Sequence, residues 1–199
     1  MGRKRLVSDE QLLEAARAAF VERGLAASTK EIARRAGVSE AVLFQRYETK
    51  AELFFAAMVP PNFDIRACAP SPSSDESGRR IIRDLFFGLL DYFRVAAPVV
   101  TQLLANHAFE FEKFAEQHPE NTLVTLRWSL VGFLEELRRA QKVDADPRWA
   151  ALALFTMAHS LAVFERLGAH GGRFSEAMIE ATIETLWDGF KPKATAMGG

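Results

Sequence analysis

Within the first 52 residues, Ser8 with Gln11, Ser28 with Glu31 and Thr49 with Glu52 each place a Ser or Thr three residues ahead of a Glu or Gln. In such a capping box the hydroxyl accepts a backbone N–H of the first turn while the acid or amide turns back to the cap, so each pair marks a helix start. Leu13, Ala16 and Phe20 recur at helical spacing and stop at Gly24, which predicts a helix over about 9–23. A second is expected over 29–36, burying Ile32, Ala33 and Ala36 ahead of Gly37; a third follows over 39–47 and a fourth over 50–58. Four helices thus fall in a short stretch of chain.

Pro60 and Pro61 end the fourth helix, and the segment from there to Gly78 contains APSPSSDESG, rich in Pro, Ser and acid. A surface loop within one domain and a linker between two both fit this composition. Five further helical stretches are expected, over 79–96, 98–115, 119–141, 147–168 and 175–190, and strand-like alternation bounded by hairpin turns is absent from the sequence. The expected fold class is therefore all-α, an N-terminal helix-turn-helix domain of three to four helices followed by a C-terminal helical bundle. The expected boundaries are 1–58 for the first domain, 59–78 for the loop or linker, 79–190 for the second domain and 191–199, KPKATAMGG, for a disordered tail.

A chain of 199 residues, 49% apolar and 26% charged, reads as a soluble globular protein. A single cysteine, Cys68, excludes an internal disulfide and a cysteine-rich zinc site, and with no signal-like segment the expected location is cytoplasmic. The longest apolar run, Trp149 to Phe164, is interrupted by Thr156, His159 and Ser160 and falls short of the roughly 18 to 20 residues of a bilayer span. No membrane partner is expected. Ten basic residues face eight acidic ones over 1–58, against fifteen and eighteen over 59–199, and the N-terminal excess lies in Arg3, Lys4 and Arg5. That asymmetry suits a basic arm on an acidic body, and equally a solubility tail. No Gly-rich phosphate loop, G-x-S-x-G or H-E-x-x-H occurs, and His107, Glu110 and His118 lack metal-ligand spacing, so neither an enzyme nor a metal or cofactor is expected.

Two short helices joined at Ala36-Gly37-Val38-Ser39 form the helix-turn-helix plan, whose second helix enters the DNA major groove, although an ordinary helical hairpin has the same outline. At about 100° per residue, Leu43 and Tyr47 share one side of the third helix and with Val38 face the first two helices, while Ala41 and Gln45 point away, flanked by Val42 and Phe44. Gln pairs in bidentate fashion with adenine, and the Ala41 and Val42 methyls suit a thymine methyl. Lys30, Arg46 and Lys50 are candidate cations for phosphate or base edges.

The run from Gln11 to Met58 resembles the DNA-binding domain of the tetracycline-repressor (TetR) family of bacterial transcription regulators. The features that carry the resemblance are Phe20 to Gly24, Ser28-Thr29, Ile32-Ala33, Ala36 to Ser39, and Leu43 to Tyr47 with Lys50 beyond. It implies that Thr29, Lys30, Ser39, Ala41, Phe44, Gln45, Arg46 and Lys50 lie at or near DNA. Phe44 departs from the family's usual tyrosine, whose hydroxyl contacts phosphate, and Arg46 from a common histidine; Arg46 is the expected substitute for the missing phosphate contact.

The same resemblance implies a second helical domain that dimerises and binds a small molecule. Polar groups set in apolar helix, with aromatic bulk nearby, mark the expected ligand residues: Phe86, Phe87, Leu90, Phe93, Asn106, His107, Trp128, Phe133, Thr156 and His159. Ala158 and Ala162, with Ile179, Ile183, Leu186 and Phe190, form the expected dimer faces, and packing within one chain accounts for the same pattern. The implied function is a ligand-responsive repressor that binds a near-palindromic double-stranded DNA operator as a homodimer and is released by a small apolar or aromatic effector. The alternative is a helical ligand-binding or scaffold protein whose DNA binding has degenerated.

Overall fold

The structure is a computed structural model that describes residues 7–119, 123–169 and 171–192. Arg3, Lys4 and Arg5 of the expected arm, and 193–199 of the expected tail, lie outside the described residues. Among the described residues every regular element is helical: α1 (Asp9–Arg23), α2 (Thr29–Ala36), α3 (Glu40–Arg46), α4 (Lys50–Ala57), α5 (Ile65–Cys68), α6 (Gly78–Leu104), α7 (Phe111–Gln117), α8 (Leu123–Arg139), α9 (Pro147–Leu167) and α10 (Glu176–Phe190). A 3-10 turn, Gly24–Ala26, follows α1.

The three expected caps form to different degrees. Ser8 and Gln11 make the full reciprocal box. Thr49 accepts the Glu52 N–H, but the Glu52 carboxylate reaches back one residue further, to the Glu48 N–H at 2.8 Å. Ser28 makes no side-chain cap, and the Glu31 carboxylate that would complete the box is held instead by the Arg34 and Arg35 guanidiniums at 2.8 and 3.0 Å. Those hydrogen bonds, Arg34's first, hold the Glu31 carboxyl down at about 2.

Contacts divide the chain into two compact units. One comprises residues up to Pro60 together with Pro98–His118, and the other Pro61–Ala97 together with the chain from Pro119 onward. The first unit closes over Leu12, Ala16, Phe20, Ile32, Leu43, Leu53 and Phe54, joined by Val99, Leu103 and Phe114. Phe20 and Phe54 meet edge-on at 5.1 Å, an arrangement that adds to the burial of their area. Arg17 then donates to the Ala57 carbonyl at 2.8 Å, tying the end of α4 to α1.

Several elements differ from the expectation. Instead of two helices over 79–96 and 98–115, α6 runs unbroken to Leu104 through Pro98, and a separate short α7 follows. Proline removes one backbone donor and usually kinks or breaks a helix. Here Ala96, Ala97, Val99 and Leu103 are buried around it, so packing on either side of Pro98 outweighs the lost bond. The stretch 98–118, expected in the second domain, packs in the first unit. The Pro/Ser-rich stretch is not wholly loop, since α5 forms within it.

The second unit is a helical bundle in which α6 residues Ile81 to Phe93 share a core with Leu130, Leu134, Leu154, Ile179 and Ile183. Arg94 of α6 grips Glu165 of α9 in bidentate fashion at 2.7 and 2.8 Å, with Glu165 only 6% exposed and also accepting the Phe174 N–H at 3.0 Å. Hydrogen bonding to Arg94, then to that backbone N–H, lowers the Glu165 carboxyl against the opposing effect of burial. Lys142 spans Ser74 and Glu76, donating to their carbonyls at 2.5 and 2.6 Å. At 21 residues, α9 exceeds the apolar run noted above and by length and composition matches a membrane span. Its inner side, Ala151, Leu154 and Ala158, is however packed into the bundle core.

Two helical glycines in this unit respond oppositely to a methyl group. A Cβ on Gly78 meets the Lys142 carbonyl oxygen at 2.2 Å, whereas a Cβ on Gly132 of α8 meets nothing within 4 Å. Gly78→Ala is expected to destabilise the protein by about 1–3 kcal/mol through overpacking. Gly132→Ala is expected to stabilise it by up to about 1 kcal/mol through helix propensity. Urea unfolding of both variants beside the parent checks the pair, and a shared sign would contradict the packing at Gly78.

Candidate nucleic-acid interface

The α2–α3 turn rests on Gly37, whose φ of 73° and ψ of 25° lie in the left-handed region that side chains other than glycine's rarely adopt. Gly37 N–H donates to Arg34 O and Val38 N–H to Ala33 O, which satisfies the last carbonyls of α2 within two residues. Ser39 then caps α3 by accepting the Val42 N–H at 3.3 Å. A seven-residue helix is unstable alone. Leu43, fully buried, fixes it to the core with half-buried Val38 and Tyr47 beside it.

With Leu43 inward, Ala41, Phe44 and Gln45 are exposed, Phe44 to 40%. Ser39 and Lys30 are exposed as well, while Thr29, Arg46 and Lys50 are half-buried. Among the described residues Lys30 and Lys50 have no ion pair, and both sit in the opening turn of a helix, α2 and α4 respectively. The eight residues expected at DNA thus lie on α2, α3, α4 and the turn between α2 and α3, and all have some solvent access.

Two of them spend their polar groups inside the protein. Thr29 donates its hydroxyl to Glu40 Oε1, linking the starts of α2 and α3. Arg46, 24% exposed, donates from Nη1 to Asp9 Oδ1 at 2.9 Å and from Nη2 to the Val7 carbonyl at 2.8 Å. The expected phosphate cation is therefore a tie from the end of α3 to the start of α1. No local sequence signal assigns Asp9, Val7 or Glu40 to this surface. The capping box already placed Asp9 in the first turn of α1, but no local pattern joins it to a residue 37 positions on.

The expected ligand residues do not form one cluster. Phe86, Leu90, Phe93 and Phe133 are buried in the second unit, and Phe87 is half-buried under the Arg83 guanidinium at 4.8 Å. His159 meets the Phe93 ring edge-on at 5.3 Å, and burial lowers its pKa. Thr156 is exposed and donates to the Leu152 carbonyl, the ordinary bond of a helical threonine. Trp128 is exposed on α8. Asn106 and His107 belong to the first unit, where Asn106 accepts the Ala108 N–H in a turn.

The expected dimer residues Ala158, Ala162, Ile179, Ile183 and Phe190 are buried within their own unit, and Leu186 packs partly against it. The outward side of α9 instead carries Trp149 and Leu167, each 71% exposed, with Met157 and Phe164 between them. On α10 the exposed residues Ala177, Ala181, Thr185 and Gly189 recur every four positions.

Residues 12–57 match the family described as bacterial regulatory proteins, tetR family. A 58-residue segment is 52% identical to the HTH-type transcriptional activator FasR of Mycolicibacterium smegmatis, covering 27% of this chain and 26% of that protein. The chain thus matches about a quarter of that curated relative's length. Among solved structures, a TetR family transcription regulator from Marinobacter aquaeolei VT8 superimposes with a TM-score of 0.60 at 19% identity, covering 92% of this chain and 95% of the other. The flavonoid-responsive regulator FrrA gives 0.56 at 26% identity over 93% and 97%. The transcriptional regulator FadR from Bacillus subtilis, solved with stearoyl-CoA, gives 0.66 at 15% identity over 92% and 99%. Residues 12–57 are thus a helix-turn-helix segment of the tetR type, and the chain as a whole shares the fold of solved TetR-family regulators.

The Arg46 tie makes a specific energetic prediction. An ion pair this open contributes roughly 0.2–1 kcal/mol. Asp9→Ala and Arg46→Ala should each destabilise the protein modestly, and the double variant should lose less than the sum of the two. A double-mutant cycle by chemical denaturation measures the coupling, and strict additivity would show that the pair is not formed.

Proposed function

We propose that this chain is a TetR-family transcriptional regulator, a homodimer that reads a near-palindromic operator with α3 and represses transcription until a small apolar or aromatic effector releases it. The observation that carries the DNA reading is the sidedness of α3: Leu43 is fully buried while Ala41, Phe44 and Gln45 are exposed. In this reading Gln45 and Ala41 meet base edges. Ser39, Lys30, Lys50 and the first backbone N–H groups of α2, which Ser28 leaves without a side-chain cap, meet phosphates. Thr29 and Arg46 hold the helices in register, and Phe44 packs on sugar and backbone without a hydroxyl to donate. A bacterial regulator of this kind works in the cytoplasm, where its DNA is.

Support for an apolar or aromatic effector comes from the buried Phe86, Phe93 and Phe133 and from two proteins of the same fold, the flavonoid-responsive FrrA and the stearoyl-CoA-bound FadR. FasR is named an activator, yet the segment it shares with this chain is confined to 58 residues. Repression follows from operator occupancy itself. An effector releases DNA only by binding the DNA-free form more tightly than the DNA-bound form. For the dimer, the outward side of α9 supplies large apolar groups and that of α10 supplies small ones, a combination that suits close helix packing between copies.

Selection of bound sequences from a random DNA pool should return inverted half-sites one helical turn, or a multiple of it, apart. On the selected site, Gln45→Ala should lose about 1–3 kcal/mol of base discrimination. Lys30→Ala and Lys50→Ala, each removing one phosphate contact per subunit, should each reduce the dimer's slope of log affinity against log salt by about 1.8, and Arg46→Ala should leave that slope unchanged. Phe44→Tyr should tighten binding. No enriched sequence, or an unaltered slope in both lysine variants, would sink the DNA reading.

The dimer is tested separately by Phe164→Glu, which places a charge on the outward side of α9. Sedimentation equilibrium should show the parent as a dimer and the variant as a monomer with unchanged helix content. A parent that is monomeric at micromolar concentration would remove the proposed interface.

A further inference from the structure

We infer that the unit bearing α3 contains a binding site of its own, for a bulky aromatic cation. The site is a cavity of about 440 Å³ formed where α4 faces the chain from Ala108 to His118. That volume lies in the ordinary range of small-molecule sites. Phe55 of α4 forms one side, and Phe109 and Phe114 the other. The latter two rings lie 5.6 Å apart, and the His118 ring follows Phe114 at 4.9 Å, so the aromatic wall is continuous. Two small side chains, Ala56 and Ala108, leave the space between the walls open.

The charge of the occupant follows from the rim. Glu52, Glu110 and Lys113 line the cavity with no arginine among the lining residues. Lys113 is already paired with Glu110 at 2.8 Å. Glu52 has no basic partner among the described residues; one of its oxygens accepts the Glu48 N–H, and the other is uncommitted. An uncompensated carboxylate lining the same cavity as phenylalanine rings attracts a cation in two ways, through its own charge and through the negative faces of the rings. A carboxylate or phosphate ligand would find its one ammonium occupied and Glu52 opposing it. The aromatic walls require an apolar body around the cationic centre.

The occupant would touch Glu52, Phe55 and Ala56, all on the helix that starts at Lys50. Its effect on DNA binding would thus arise within the DNA-binding unit. The assignment of that effect rests on the regulator reading above, whereas binding itself does not.

Tetraphenylphosphonium and tetraphenylborate are near-identical in shape and opposite in charge, and titration calorimetry of each into the full chain separates shape from charge. Expected are saturable binding of one phosphonium per chain and borate binding at least ten-fold weaker. Glu52→Gln should weaken the phosphonium several-fold, and Ala108→Trp, at an exposed position, should abolish its binding by filling the cavity. Thermal unfolding of each variant establishes that it is folded. Borate binding as tight as phosphonium, binding of neither ion, or phosphonium binding indifferent to Ala108→Trp would overturn the site. Phosphonium binding by a protein for which DNA selection recovers no operator would keep the site and remove the regulator reading.

Discussion

The burial of Leu43 decides which way the reading helix faces. α3 has seven residues, too few to hold its shape in water, and the core of Leu12, Phe20, Ile32 and Phe54 gives it one leucine-sized place to attach. Full burial of a leucine contributes roughly 1.5–3 kcal/mol, comparable to everything else acting on so short an element. With that side chain fixed and about 100° between successive residues, the directions of Ala41, Phe44 and Gln45 follow without further interactions. The side chains that α3 presents to solvent are therefore set by an apolar contact on the opposite side of the helix.

Polar ties refine what the leucine determines. Thr29 to Glu40 joins the helix starts, and Arg46 to Asp9 and Val7 joins the end of α3 to the beginning of α1. Both use groups that resemblance places at DNA. A guanidinium already paired with a carboxylate carries less net charge toward a phosphate than a free lysine does, so the cations with most to offer are Lys30 and Lys50. Arg46, expected to replace the tyrosine hydroxyl missing at Phe44, has one bond from each terminal nitrogen committed within the protein.

The first 57 residues were legible because their signals are local. Caps, glycines and apolar spacing act within one or two turns, and the observed helix limits fall within one residue of those read from them. Even there the box at Ser28 does not form, and its Glu31 carboxylate goes to two arginines on its own helix. Beyond residue 60 the decisive interactions join residues far apart in sequence. Pro98 is a break by local rules and a mid-helix residue by burial. Asn106 and His107 follow an apolar helix, the pattern expected of ligand residues, yet packing of the helix end assigns them to the first unit. Periodicity showed that α9 and α10 each have an apolar side. On α9 two opposite sides are apolar, and spacing alone does not say which of them the bundle covers.

That ambiguity bears on where an effector can act. Sequence directs attention to the aromatic core of the second unit, where Phe86, Phe93 and Phe133 are already packed against one another's neighbours and a ligand must displace side chains to enter. In the first unit the space between Phe55 and Phe114 is open, and its wall includes the helix that begins at Lys50. An effector in the core must change DNA affinity through a rearrangement that differs in energy between two states of the whole protein. An occupant beside α4 needs only to favour one position of that helix, so a much smaller structural difference supplies the coupling. The shorter route makes the chemistry of this rim, one uncompensated carboxylate beside phenylalanine rings, the feature that selects which molecules the DNA-binding unit can sense.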